Sequence, residues 1–165
     1  MIKKLILAIL VALPTMAMAQ KFGTVDTQSL MQSLPEMKEV QTQLEASLKK
    51  YSDEESKLHA EYEKKIKEFD EMAQDTPDAI KQRRVEEIQG LQQKIGEFRQ
   101  TAQQDLQRQQ EQLIAPIQQK IMTAIQSVGT EGGYTLIFEN GIPLLFSGKD
   151  VVDVTPQVKT KLGVK

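Results

Sequence analysis

The 165-residue sequence contains no cysteine, no tryptophan and a single histidine, His59. The lack of cysteine excludes disulfides, thiolate catalysis and cysteine-ligated zinc. A lone histidine makes metal binding or triad chemistry a poor hypothesis. The formal net charge is −2, which gives no basic footprint for nucleic acid. We therefore predict no nucleic-acid partner and no metal or other cofactor.

The short motifs of common enzyme sites are missing as well. The sequence has no Gly-x-x-x-x-Gly-Lys-Ser/Thr loop, no Gly-x-Gly-x-x-Gly, no His-Glu-x-x-His and no Gly-x-Ser-x-Gly. The many carboxylates are mixed with lysines on faces that the sequence predicts to be helical and solvated. The protein is accordingly predicted not to be an enzyme.

The N-terminus has the layout of a secretory signal peptide. Positively charged residues 1–4 precede an apolar run over residues 5–13, and Ala17-Met18-Ala19 supplies a small-x-small cleavage pattern. Nine apolar residues are too few to span ~30 Å of hydrocarbon, which argues against a membrane anchor. We predict that residues 1–19 are a signal peptide, cleaved after Ala19, and that the protein is exported to the periplasm.

Residues 36–128 have a helical pattern with one predicted reversal near 75–77. Thr76 suits an N-cap and Pro77 suits the first helical position, which predicts two helices, about 36–75 and 77–128, folded back on each other. Ser33 and Glu36 form a Ser-x-x-Glu capping box for the first helix. Apolar residues recur every three or four positions, typical of a coiled-coil seam: Met37, Val40, Leu44, Leu48, Tyr51, Leu58, Tyr62, Phe69 and Met72 in the first helix, and Ile88, Leu91, Ile95, Phe98, Ala102 and onward to Val128 in the second.

Three residues of the second helix are unusual for a helix interior. Pro116 removes a backbone hydrogen bond and is expected to kink the helix, either as a hinge or, the interpretation we favour, as a bend required by packing. Gly90 and Gly96 fall off the seam and lower helix propensity by ~1 kcal/mol each relative to alanine. They indicate either a flexible arm or a solvated face that tolerates glycine.

The flanks of the helical stretch predict short strands. Residues 22–25 suit a strand, after which Asp26 or Thr27 can cap a brief helix to Leu34. The apolar runs 134–138 and 142–146 flank Asn140-Gly141, a strong hairpin signal. Residues 151–154 suit another strand, and Thr155-Pro156 opens a short terminal helix to about Leu162.

The size of these flanks predicts an oligomer. Residues 20–35 and 129–165 form the predicted β-rich body, and residues 36–128 form the arm. A body below ~70 residues seldom has an adequate core without disulfides, metals or partner subunits. The fold class is therefore mainly α with a small β body, in which a long antiparallel helical hairpin is inserted into an oligomerisation domain.

The order of these elements resembles the Skp/OmpH family of periplasmic chaperones over essentially the whole mature chain. The resemblance is carried by Val25-Asp26 and Leu34-Pro35-Glu36 near the start, and by Pro116-Ile117, Gly133-Tyr134-Thr135-Leu136-Ile137 and Val152-Asp153-Val154-Thr155 later. It implies a homotrimer whose three arms hold unfolded outer-membrane β-barrel proteins in a cavity without ATP. It also implies body and trimer-core roles for Phe22, Val25, Leu136, Phe138, Leu144 and Phe146.

Two features concern binding by the arm. The pI of about 5.6 departs from the basic character of that family, and residues 64–87 carry six basic and seven acidic side chains, so membrane-surface binding is not expected. Apolar residues beside the seam are candidates for client contact, or else close the arm tip, which we favour for Phe69 and Met72. These candidates are Ile66, Phe69, Met72, Ile80 and Val85. The alternative function is a structural coiled-coil spacer or adaptor in envelope assembly.

Overall fold

A computed structural model of the chain describes residues 20–140, 146 and 148–164. In this part of the chain the order is β1 (Lys21–Val25), α1 (Thr27–Ser33), α2 (Pro35–Asp70), α3 (Asp78–Glu131), β2 (Tyr134–Glu139), β3 (Val151–Asp153) and α4 (Thr155–Leu162). The described fold is thus mainly helical with a small sheet. The predicted signal peptide, Leu144 and most of the predicted strand 142–146 lie outside the described residues.

The three strands form a parallel sheet in the order β2-β1-β3. Phe22 lies beside Leu136 on one side and Val151 on the other. Two backbone bonds continue the pairing at the carboxyl end of the central strand, where the Asn140 N–H donates to the Val25 carbonyl and the Val154 N–H donates to the Thr24 carbonyl. Parallel neighbours need long crossovers, and the helices α1, α2 and α3 together provide the one between β1 and β2.

The hydrophobic core lies between one face of the sheet and the helices. Leu30, Val154 and Val158 are completely buried, and Ile121 of α3 is 2% exposed. The core continues along α2 and α3 to Val40 and Ile117. Burial of this apolar surface is the main stabilising term for the body. The buried residues of the core are Val25, Leu30, Leu34, Val40, Ile117, Ile121, Ala124, Val128, Val154 and Val158.

The helices α2 and α3 contact each other along their length in reverse order. Ion pairs join Glu36 to Lys120, Glu55 to Arg99 and Lys65 to Glu87, from one end of α2 to the other. At 1.5 Å per residue, α2 and α3 are ~54 and ~81 Å long. The residues between them, 71–77, lie at the end remote from the sheet. No helix among the described residues combines the length and apolar character needed to cross a bilayer.

Local predictions at the body were mostly accurate. The Asp26 carboxylate accepts the Ser29 N–H at 2.8 Å and caps α1, so that of the two predicted caps, Asp26 and Thr27, Asp26 is the one used. The terminal helix also begins at Thr155 and ends at Leu162, followed by Gly163 in the left-handed conformation. The start of each of these two short helices depends on residues a few positions apart in the chain. Such short-range signals can be recognised in the sequence alone.

The predicted caps of the two long helices were wrong. Ser33 does not cap α2, because it is the last residue of α1 and its hydroxyl donates to the Leu30 carbonyl. Instead, α2 begins at Pro35, whose fixed φ suits the first helical position. Thr76 does not cap α3 either; the N-cap position is held by Pro77, without a side-chain bond.

Two other details differ from the prediction. The first long helix ends at Asp70 rather than near residue 75. The second contains Pro116, as predicted, but continues beyond residue 128 to Glu131. Leu48 is 53% exposed and does not lie in the seam. Ser47, one residue earlier, is half-buried instead. In this part of α2 the seam positions alternate strictly by three and four residues, which places residue 47 rather than residue 48 against α3.

Candidate functional site

Among the described residues, one face of the sheet carries apolar side chains that are exposed to solvent. Leu136 and Phe138 of β2 are 51% and 39% exposed. Their register partners on β1 are Phe22 and Thr24. We call Phe22, Leu136 and Phe138 the outer sheet face. Side chains alternate along a strand, so this face is opposite to that of Val25, which is 3% exposed and packed in the protomer core.

The outer sheet face has the character of an interaction surface. Large apolar side chains that lie side by side in solvent usually mark a contact with another molecule. Three of the six residues predicted for the body and trimer core lie on it. Of the others, Val25 is inside the protomer, Phe146 is 85% exposed in the segment after β2, and Leu144 is outside the described residues.

The five residues predicted to contact clients all lie at the sheet-remote end of α2 and α3. Ile80 is 47% exposed, whereas Ile66, Phe69, Met72 and Val85 are half-buried. The half-buried side chains are shared between the contact of the two helices and solvent. Charged pairs surround them, including Lys65 with Glu87 at 3.5 Å and Arg84 with Glu87 at 2.7 Å.

A polar network that was not predicted from the sequence joins the middles of α2 and α3. The Ser47 hydroxyl donates to the Gln109 Oε1 at 2.8 Å. The Tyr51 hydroxyl and the Gln109 amide both donate to the Asp105 carboxylate, which also pairs with Arg108. We call Ser47, Tyr51, Asp105 and Gln109 the mid-arm network. A three-four repeat that continues from Leu44 to Ser47 and Tyr51 would have indicated that these polar residues face α3.

The hydrogen bonds of this network alter two pKa values. The Tyr51 hydroxyl, followed by the Gln109 amide and Arg108, holds the pKa of Asp105 below its ordinary value. The same bond to the Asp105 carboxylate raises the pKa of Tyr51. Both shifts favour the pair in which tyrosine keeps its proton and aspartate is ionised. The network therefore holds the two helices together best when Asp105 is charged.

We expect the contact between the helices to weaken when the network is acidified. Because the pKa of Asp105 is lowered in the folded protein, its stabilising effect is present above the unfolded value of ~3.9 and is lost as the pH falls below it. Thermal unfolding followed by circular dichroism between pH 7 and pH 3 measures this loss. Asp105→Asn should be less stable at pH 7 than the wild type and should lose less stability on acidification, because position 105 no longer titrates. Some acid sensitivity should remain, since Glu36 and Glu87, whose pKa values are also lowered, are unchanged. Equal acid sensitivity of both proteins would contradict the role of Asp105.

The next polar contact, toward the tip, involves the single histidine. Arg99 donates to the Glu55 carboxylate at 2.6 Å and lies 2.9 Å from the His59 Nε2. Glu55 and His59 belong to α2 and Arg99 belongs to α3, so this contact joins the two helices. Among the described residues, no group of His, Asp and Glu side chains is arranged to hold a metal ion.

Comparison with known families gives one match. The model of the family described as outer membrane protein (OmpH-like) matches residues 21–162, from the first residue of β1 to the last residue of α4. The chain belongs to the OmpH-like family. A comparison with curated proteins found no significant match.

Membership in the OmpH-like family settles the general class of the protein. Proteins of this family are periplasmic chaperones of outer-membrane proteins and are not enzymes. The resemblance seen in the sequence is thereby confirmed. In this OmpH-like chain, the matched residues include the outer sheet face and both long helices, α2 and α3.

Proposed function

We propose that this protein is an ATP-independent holdase that binds unfolded outer-membrane proteins and prevents their aggregation. In this proposal it acts as a periplasmic homotrimer after cleavage at Ala19, with α2 and α3 of each subunit forming an antiparallel arm. The arms enclose a cavity for the client. The single observation that carries the proposal is a small sheet with an uncovered apolar face, joined to two long paired helices.

The outer sheet face supports the oligomeric part of the proposal. A second copy that covers Leu136 and Phe138 would remove apolar surface from water, which is favourable by ~25 cal/mol per Å². The same contact would extend the small core of the body beyond what one chain provides. A trimer gathers three arms on one base, and a common base is the arrangement that allows arms to enclose a space.

The helices α2 and α3 support the holding part of the proposal. Few large apolar side chains of the two helices are well exposed in the described chain: Ile80 lies at the sheet-remote end, among the residues predicted to contact clients, and Leu48 and Met122 lie elsewhere. Individual contacts with a client must therefore be weak. Several weak contacts on linked arms still bind strongly, because each contact raises the effective concentration for the next.

Light scattering tests the proposed function directly. The mature protein is mixed with a β-barrel outer-membrane protein diluted from urea, and aggregation and complex mass are both recorded. A holdase suppresses aggregation without ATP and gives a complex of defined mass. A spacer or adaptor leaves aggregation unchanged, and that result would contradict the proposal.

We expect the triple variant Ile66→Ser, Ile80→Ser and Val85→Ser to suppress aggregation at least tenfold less well per mole than the wild type. The reason is the loss of apolar contact area at the sheet-remote end of the arm. The matched control is Leu48→Ser with Met122→Ser, two residues that are 53% and 51% exposed elsewhere on the helices. Circular dichroism must show that both variants keep their helices. Equal activity of the triple variant and the control would reject the assignment of these three residues.

A further inference from the structure

Burial between α2 and α3 is not uniform along their length. Near the body, Val40 and Ile117 are buried and belong to the continuous core, and Leu44 and Leu113 pack against it. Farther out, Leu58, Ile95 and Ala102 are also buried, but they lie outside that core. No residue between 59 and 94, all of which the structure describes, is buried. The contact between the helices therefore loosens toward the tip.

The mid-arm network separates these two regions of apolar contact. Moving outward from the body, the seam passes from Leu44 and Leu113 to the polar residues Ser47, Tyr51, Asp105 and Gln109, and only then to Ala102 and Leu58. This layer is mostly polar, and its one aromatic ring, that of Tyr51, packs edge-on against Phe98 with 6.1 Å between the ring centroids. We define the distal arm as residues 52–104, the part beyond this layer.

The distal arm also contains two glycines that packing does not require. A Cβ atom at Gly90 or at Gly96 would meet no atom within 4 Å, and both residues are exposed. Glycine in a helix interior is ~1 kcal/mol less favourable than alanine. Gly90 weakens α3 within residues 59–94, none of which is buried, and Gly96 weakens it directly after Ile95, the last buried residue of α3 toward the tip.

We propose that the distal arm opens as a unit while the proximal arm stays closed, and that the opened seam is the surface that binds the client. This inference rests on the proposed holdase function and deepens it. Few buried apolar contacts and a helix weakened by glycine give a segment a low free energy of local opening. The mid-arm network is the boundary at which opening stops.

Opening supplies what the closed arm lacks, which is a continuous apolar surface. An unfolded outer-membrane strand alternates apolar and polar side chains, and the apolar side chains exposed when the distal helices locally unfold can pack against such a strand. These side chains are numerous enough to contact several residues of an extended chain. They are Leu58, Tyr62, Ile66 and Phe69 of α2, and Val85, Ile88, Leu91 and Ile95 of α3.

Hydrogen exchange on the purified mature protein tests the first part of this inference. In the wild type, amides of the distal arm should exchange at least tenfold faster than those of residues 36–46 and 110–128. The double variant Gly90→Ala and Gly96→Ala should slow distal exchange by about 10- to 30-fold, because two alanines favour the closed helix. The control, Gln118→Ala with Gln119→Ala, changes two exposed positions of the proximal part of α3 and should leave distal exchange unchanged.

Capture of a urea-diluted β-barrel protein by the same variants tests the second part. The glycine variant should bind it about tenfold less well, and the glutamine control should bind it like the wild type. The inference is overturned if the two parts of the arm exchange equally fast, if the alanines do not slow exchange, or if the variant with slowed exchange binds normally. Failure of the wild type to bind at all would refute the holdase proposal, whereas normal wild-type binding with any of these results refutes only the opening of the arm.

Discussion

Replacing Leu136 and Phe138 together with aspartate should dissociate the assembly into protomers. The two side chains are 51% and 39% exposed in the protomer, so the change costs less within one subunit than in an interface that covers them. In the proposed interface each carboxylate would lose its water without gaining a partner, at a cost of several kcal/mol per charge. The dissociation constant of the oligomer should therefore rise by at least 100-fold, which sedimentation or light scattering measures as a fall in mass.

The control for this variant is Leu48→Asp, since Leu48 is 53% exposed and Leu136 is 51% exposed. Leu48 lies on α2, away from the sheet, so Leu48→Asp should keep the mass of the wild type. If the double variant also loses its fold, the melting temperature of the wild type provides a second measurement, because the melting temperature of an obligate oligomer rises with protein concentration. An assembly of unchanged mass in the double variant, or a monomeric wild type, would contradict the interface.

Leu30→Ala should produce the largest loss of stability among single substitutions in the body. Leu30 is completely buried in the core formed by α1, the sheet and α3. Truncation of such a leucine removes transfer free energy and leaves a cavity, and together these cost about 2–5 kcal/mol. Urea unfolding followed by circular dichroism should show a correspondingly lower midpoint.

Leu48→Ala is the matched comparison for this prediction. It removes the same atoms from a half-exposed helical position, where surface changes usually alter stability by ~0.5 kcal/mol or less. The free energy of unfolding should therefore fall much further for Leu30→Ala than for Leu48→Ala. Similar losses in the two variants would show that Leu30 does not lie at the centre of the core.

Structural features were predicted correctly from the sequence when the residues that determine them lie close together along the chain. The cap of α1 was narrowed to Asp26 or Thr27 because the capping carboxylate lies three residues from the N–H that it accepts. The start of α4 was predicted because Pro156 lies in its first turn. Ser33 was misassigned because two explanations competed locally, a capping box with Glu36 and a start at Pro35. The proline, with its fixed φ, determines where α2 begins.

The candidate sites show the same limit. The sequence placed Phe22, Leu136 and Phe138 in the body but could not tell which side of the sheet the helices cover. It also assigned Leu48 to the seam, whereas Ser47 occupies that position and bonds to Gln109, 62 residues away. The choice between neighbouring positions depends on the register of α2 against α3, and no short segment contains that information.

The sequence by itself determined the order of the described strands and helices, because hydrophobic periodicity and turn residues act over a few positions. The hairpin predicted across Asn140-Gly141 involves residues outside the described part of the chain and stays a prediction. The sequence also determined the family, because the match extends from residue 21 to residue 162. Only the tertiary structure decided that Val25 is covered while Leu136 is not, and that Tyr51 meets Asp105 between the long helices. Such pairings arise when distant segments pack together, and packing chooses among registers that look equally apolar along the chain.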